Sequence, residues 1–189
     1  MLPDCERLPV DIYAVEQVRE MDRTTINECG VSGYTLMQRA AQAALECIRE
    51  RWPDALALRI YCGIGNNAGD GYVLARLAQR SGLVVRVVKC APTDALSGDA
   101  ATAWRDCQAA GIEAVEFASD TPLDSDYVIV DALFGTGLSR PLSGTFAAAV
   151  AQMAALDLWD RLILGEEVSC QEALPQPQPV TLTATELNA

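Results

Sequence analysis

The chain has 189 residues, half of them apolar and only 6% aromatic, enough for one core of aliphatic helices packed on a sheet. Twenty-six acids against fourteen bases leave a formal charge of −12. Nucleic-acid affinity comes from Lys and Arg neutralising phosphates, so no nucleic-acid partner is expected. No histidine is present, and the seven cysteines form no Cys-x-x-Cys pair, which argues against zinc clusters and His-dependent nucleophiles.

Scattered cysteines of odd number read as reduced, buried thiols of a cytoplasmic protein. No apolar run approaches the ~18 residues of a membrane span, and residues 1–6 carry acids rather than a basic, then apolar, signal. Neither a membrane partner nor targeting is expected.

In chain order, Val15, Val18, Met21 and Ile26 predict a helix over 14–27, stopped by Cys29-Gly30. A second helix is predicted over 34–51, ended by Pro53. Residues 56–62 read as a buried strand, 63–70 as a loop rich in Gly and Asn, and 71–80 as a helix. A strand at 84–88, a helix at 98–109 and a short strand at 114–117 follow. Residues 127–130 read as another buried strand, ending in Asp131, and 145–156 as a helix. Continuous apolar strands alternating with helices imply a parallel sheet covered on both faces. After residue 156 the character changes: a proline-rich stretch at 174–180 and a polar end make 157–189 a divergent tail without core elements.

Two loops carry the chemistry. In the first, Gly63-Ile-Gly65-Asn-Asn-Ala68 stands loosely as a dinucleotide fingerprint between strand and helix, where backbone amides can approach an anion. The same glycines also suit an ordinary tight turn. An acid reading a ribose should end the next strand, but Lys89-Cys90 stands there, which counts against an ordinary dehydrogenase. Asn66, Asn67 and Asp70 put three side chains with oxygen acceptors at the rim where open α/β sheets bind ligands. Helix capping would require only one of them.

In the second loop a buried strand ends in Asp131, followed by Gly135-Thr-Gly137 and Arg140. An acid ending an apolar strand suggests a paired, metal-bound or catalytic carboxylate, since burying an unpaired charge is costly. The alternative is a solvated capping aspartate. Gly135 to Gly137 can wrap a phosphate or ribose, and Arg140 either pairs with an anion or sits on a solvated face. Lys89, the only lysine, ends the neighbouring strand and is a candidate assistant to Asp131.

Together, Gly65-Asn-Asn-Ala-Gly-Asp-Gly71 and Asp131-Ala-Leu-Phe-Gly-Thr-Gly-Leu-Ser-Arg-Pro-Leu142 resemble the YjeF N-terminal domain family, the NAD(P)HX epimerases. Val18-Arg-Glu-Met-Asp22 and Leu36-Met-Gln-Arg-Ala-Ala41 resemble that family's opening helices, and Ala68 stands where the family often has glycine. The resemblance implies a three-layer α/β/α Rossmann-like sandwich with a mostly parallel sheet over residues 1–156, truncated at its C-terminal end. It implies epimerisation of R- and S-NADHX and NADPHX, feeding an S-specific dehydratase, by a homodimer. By the same resemblance, substrate would be bound by Asn66, Asn67, Ala68, Gly69, Asp70, Gly135, Thr136, Gly137, Leu138, Ser139, Arg140 and Pro141. Asn67 and Asp131 would ligate a potassium ion, with Asp131 the catalytic acid/base.

The family continues into an Asp-Ile-Pro-Ser-Gly segment whose aspartate contacts substrate and whose serine helps hold potassium. Here the chain reads Leu156-Asp-Leu-Trp-Asp-Arg-Leu-Ile-Leu-Gly-Glu-Glu instead. The alternative expectation is therefore a catalytically impaired nucleotide-binding or scaffold protein of the same fold.

Overall fold

The computed structural model describes residues 13–120, 127–135, 138, 141–155, 161–164 and 181–182. Helices α1 (Val15–Asn27) and α2 (Gly33–Arg51) come first, then β1 (Ala57–Cys62), α3 (Asn66–Arg80) and β2 (Val84–Lys89). They are followed by α4 (Gly98–Ala109), β3 (Glu113–Glu116), β4 (Tyr127–Ala132) and α5 (Gly144–Ala154), with a 3₁₀ turn at Thr93–Ala95. Two short strands, β5 (Arg161–Leu164) and β6 (Thr181–Leu182), complete the sheet.

All strand pairings are parallel, in the order β3-β2-β1-β4-β5-β6. The order reverses direction at β1, which has β2 on one side and β4 on the other. That crevice above β1 and β4 is where open α/β sheets hold ligands.

Strand alternation sorts the core into two layers. On one face Leu58, Ile60, Cys62, Val85, Val87, Val128 and Val130 meet Met37, Ala44, Leu45 and Ile48 of α2, Tyr72 and Leu74 of α3, and Cys107 of α4. On the other, Tyr61, Val88, Ile129 and Leu133 pack with Ala149 and Met153 of α5. The result is the expected three-layer sandwich. Helices α2, α3 and α4 are also tied by polar contacts: Tyr34 Oη donates to Asp106 Oδ2 at 2.5 Å, and Arg76 Nη1 lies 2.9 Å from both.

Two sequence expectations change. Helix α3 starts at Asn66 rather than residue 71, so the polar residues of the first loop occupy the helix's opening turns. The sheet also continues past residue 156. β5 pairs with β4 through Ile129↔Arg161, Val130↔Leu162 and Asp131↔Ile163, and β6 pairs with β5. The four-residue strand at 161–164 lies in a segment whose neighbours carry acids and Trp159, too short for a periodic signal to stand out. The rest of 157–189 lies outside the described residues.

Candidate functional site at the sheet's C-terminal rim

β1 ends in Gly63, and close packing fixes its course. A Cβ on Gly63 would lie 3.0 Å from Leu133 C and 3.1 Å from its Cα, and nearer still to its carbonyl oxygen. Gly63 N also donates to Ala132 O at 3.1 Å. Only glycine allows the two loops to come this close. Gly65 then caps α3 at φ +92°, a left-handed conformation that L side chains rarely adopt.

Neither asparagine caps the helix, so that alternative falls: the cap residue is Gly65, with no side-chain cap bond. Asn67 is buried, and its Nδ2 donates to the Phe134 carbonyl at 2.7 Å. A carbonyl only accepts, so this bond fixes the orientation of the amide and leaves Oδ1 as an acceptor beside both loops. Gly135 lies over the same residue, its would-be Cβ 3.6 Å from Asn67 Cβ. The two loops thus share one wall.

Asp131 lies within β4, in register with Tyr61. Its Oδ1 accepts the Leu133 N–H at 3.0 Å, which turns the carboxylate toward the chain leaving the sheet. By alternation it shares a face with Ile129 and Leu133, while Lys89, in register with Cys62, points the other way. Lys89 instead pairs with Glu116 at 2.5 Å and stands 5.7 Å from the Trp104 ring centre. The reading of Lys89 as an assistant to Asp131 is therefore corrected: a one-residue step along a strand reverses the face.

Of the other residues named from the sequence, Asn66 and Pro141 are exposed, Ala68 and Gly69 buried, and Gly135 partly buried. Leu138 keeps 38% of its surface exposed, and with Ile64 at 42% gives each loop an open apolar side chain. Thr136, Gly137, Ser139 and Arg140 lie outside the described residues. The Phe134 carbonyl escaped sequence reading because it acts through its backbone, while Gly63, read there as a fingerprint or turn glycine, acts through its missing side chain.

Asp70 stands out electrostatically. Burial, with a smaller contribution from Asp22 of α1, raises its carboxyl to about 8. The proton is therefore bound more tightly in the folded chain than in the unfolded one, and stability falls as pH rises from about 4 to about 8. Asp70→Asn is expected to be more stable than the parent at pH 8, by on the order of 2 kcal/mol after solvent screening, and no different below pH ~4. Urea unfolding at the two pH values checks this; equal stabilities at pH 8 would contradict it.

The buried thiols are inert. Burial pushes Cys90 and Cys107 up to about 12 and Cys62 well above its usual value, so none supplies a thiolate. Among the described residues no three Cys, Asp or Glu side chains gather as a metal cluster. A cavity of about 220 Å³ lies elsewhere, at mid-sheet on the α5 face, lined by Arg59, Tyr61, Arg86 and Gln152 among others. It includes none of the loop residues.

A parallel α/β sandwich that draws two polar turns together where its strand order reverses is a Rossmann-like domain. The chain belongs to the YjeF-related N-terminal family, whose model matches residues 33–164. It is 40% identical over 140 residues to the bifunctional NAD(P)H-hydrate repair enzyme of Coxiella burnetii, covering 74% of this chain and 28% of that enzyme. To the NAD(P)H-hydrate epimerase of Rhodobacter capsulatus it is 39% identical over 78% of this chain and 76% of that protein. For the Bordetella pertussis epimerase the figures are 36%, 90% and 71%. The crystal structure of yeast ynu0 superposes with a TM-score of 0.72 over 91% of this chain and 78% of that one, at 17% identity, a likeness of fold.

Proposed function

We propose that this domain epimerises the R and S forms of hydrated nicotinamide nucleotides, NADHX and NADPHX, as a step of metabolite repair. The observation that carries the reading is the shared wall of the two loops, with Asn67 anchored to the Phe134 carbonyl and Asp131 accepting the Leu133 N–H where the second loop leaves the sheet. Relatives bearing the epimerase name over most of both chains support it.

Inversion at ring carbon 6 breaks its bond to the hydroxyl oxygen while the ring nitrogen lone pair forms a double bond to that carbon. Water then adds to the opposite face and loses a proton. This chain needs to hold the nucleotide, exclude stray water and handle two protons. Backbone amides at the start of α3 and at Gly135 hold phosphate and ribose. The residues assigned to substrate binding are Asn66, Asn67, Ala68, Gly69, Asp70, Gly135, Thr136, Gly137, Leu138, Ser139, Arg140 and Pro141, and Asp131 takes the proton from incoming water.

A potassium ion fits the donor set. The Asn67 amide nitrogen is committed to Phe134, so its oxygen is left to face a cation, and Asp131 adds a carboxylate oxygen. Oxygen-only ligation suits a hard cation. Asn67 and Asp131 would hold the ion, and its positive charge would help orient the substrate.

The product is consumed by an S-specific dehydratase; the Coxiella relative is named as bifunctional. We place the domain in the cytoplasm as a homodimer. Among the described residues no helix is long and apolar enough to cross a membrane. A second reading, nucleotide binding or scaffolding without turnover, is favoured by the family match ending at residue 164, before any Asp-Ile-Pro-Ser-Gly segment. Purified protein mixed with R-NADHX and an S-specific dehydratase separates the two. NADH recovery faster than spontaneous epimerisation is expected; binding without acceleration would leave only the second reading.

A further inference from the structure

A pair of arginines is a costly filling for the covered face of a sheet, where aliphatic side chains of similar volume pack with no desolvation penalty. Yet β1 and β2 place Arg59 and Arg86 in register on the α5 face, on neighbouring strands about 4.8 Å apart, where like charges repel. Both border the mid-sheet cavity of about 220 Å³. We propose that this cavity is a second ligand site, which takes a small monocarboxylic acid with a short apolar or aromatic body. The proposal goes beyond the epimerase reading and does not rest on it.

Topology makes the hollow. Helix α5 covers β4 and β1, and among the described residues the crossover from β3 to β4 brings no helix beneath β2 and β3. The floor is formed by side chains of three neighbouring strands, in two rows. Arg59, Arg86 and Glu113 stand in register across β1, β2 and β3. Two residues further along each strand, on the same face, Tyr61, Val88 and Val115 form the second row. Gln152 of α5 builds a wall: its Oε1 accepts from Tyr61 Oη at 2.9 Å, and its Nε2 donates to the Ala118 and Ser119 carbonyls, each at 3.3 Å. These bonds join helix, sheet and the turn after β3, so the hollow is shaped in advance of any ligand.

The two rows differ in chemistry, and together they describe the ligand. Arg59 is 1% exposed, with Cζ 4.8 Å from the Tyr127 ring centre, a contact that eases burial of the cation. Arg86 grips Glu113 through Nε at 3.1 Å and Nη2 at 3.3 Å. A guanidinium carries five N–H donors in a planar fork, so it can hold that carboxylate and a second one together. Glu116 is committed to Lys89 at 2.5 Å, on the far face. The charged row in the hollow thus has two cations and one anion, a field that favours a monoanion over a neutral or cationic ligand.

The second row is apolar apart from the Tyr61 hydroxyl, which is bonded to Gln152, so it suits hydrocarbon and not another charge. Size sets the limit. An apolar cavity of about 150 Å³ holds benzene, so this one has room for a ring and a carboxylate. It is smaller than the ~300 Å³ at which pockets for drug-sized ligands begin, which excludes a dinucleotide. Entry is at the edge strand β3, where the Arg86 and Glu113 side chains keep 31% and 56% of their surface open.

The test is a titration of the ¹⁵N-labelled full chain with benzoate, followed by amide NMR shifts, with acetate, inorganic phosphate and benzyl alcohol as comparison probes. Saturable shifts are expected around residues 86–88, 113–118 and 152, with a Kd of about 1 mM or lower. Acetate and phosphate leave the apolar row uncovered and benzyl alcohol lacks the charge, so each should bind about tenfold more weakly or worse. Arg86→Gln removes the cation nearest the entry, and Ala118→Phe, at an exposed position, fills the hollow from its wall. Each variant should weaken benzoate by about tenfold, and the second decides the matter if the first does not fold. Four results would overturn the proposal: no saturable benzoate binding, a comparison probe as tight as benzoate, shifts confined to residues 63–70 and 131–138, or parental affinity in either variant.

Discussion

Gly63→Ala is expected to unfold at a temperature about 10 °C below the parent, a loss of about 3 kcal/mol, and to bind nucleotide poorly even when folded. The added methyl would meet the backbone of Leu133, at 3.0 Å from its carbonyl carbon and closer to the oxygen. A flexible side chain could move aside, but here the obstacle is main chain at the end of a paired strand. Relief would require β1 and β4 to separate at their C-terminal ends, breaking the Gly63 N–Ala132 O bond of 3.1 Å. Separation would also carry the Phe134 carbonyl away from Asn67. Stability and site are thus lost together. Calorimetric unfolding with a binding titration checks the pair, and a Tm within 2–3 °C of the parent, roughly 1 kcal/mol, would contradict the packing argument.

Asp131→Asn is expected to keep the fold and lose epimerisation by about 10²–10⁴-fold, the usual contribution of a positioned acid/base group. The amide is nearly isosteric and its oxygen can still accept the Leu133 N–H, so the bond of 3.0 Å survives. What disappears is the capacity to take a proton from water. Because binding runs through loop amides and the Asn67 region, KM should change far less than kcat. A variant with parental kcat would remove Asp131 from the reaction. One with normal kcat but a raised KM would make it a binding residue alone.

The fold was legible where aliphatic runs met glycine and proline punctuation. The strands around Ile60, Val87 and Ile129 were readable, as were the helices ending at Arg51 and Ala109, because periodicity and stop signals agree there. The start of α3 was misplaced because Asn66, Asn67 and Gly69 are weak helix formers, and tertiary packing holds them helical anyway. Tyr72, wholly buried against Trp104 with ring centres 5.1 Å apart, is one anchor of that packing. Strand β5 was missed because four residues carry too little pattern.

The site was only partly legible. The motif pair named both loops, but no sequence rule joins Asn67 to a carbonyl 67 residues away. The influence of Asp22 on Asp70 is equally long-range, set by how α1 lies against the sandwich. Lys89 misled because its position at a strand end is visible in the sequence, whereas its face depends on register.

The central claim is that both loops border one nucleotide site at the C-terminal ends of β1 and β4. A crystal structure with NADP⁺ bound tests it most directly. The nucleotide should lie between residues 65–70 and 131–138, touching both segments. Density at mid-sheet, in the cavity lined by Arg59 and Arg86, or contact with only one loop, would contradict it.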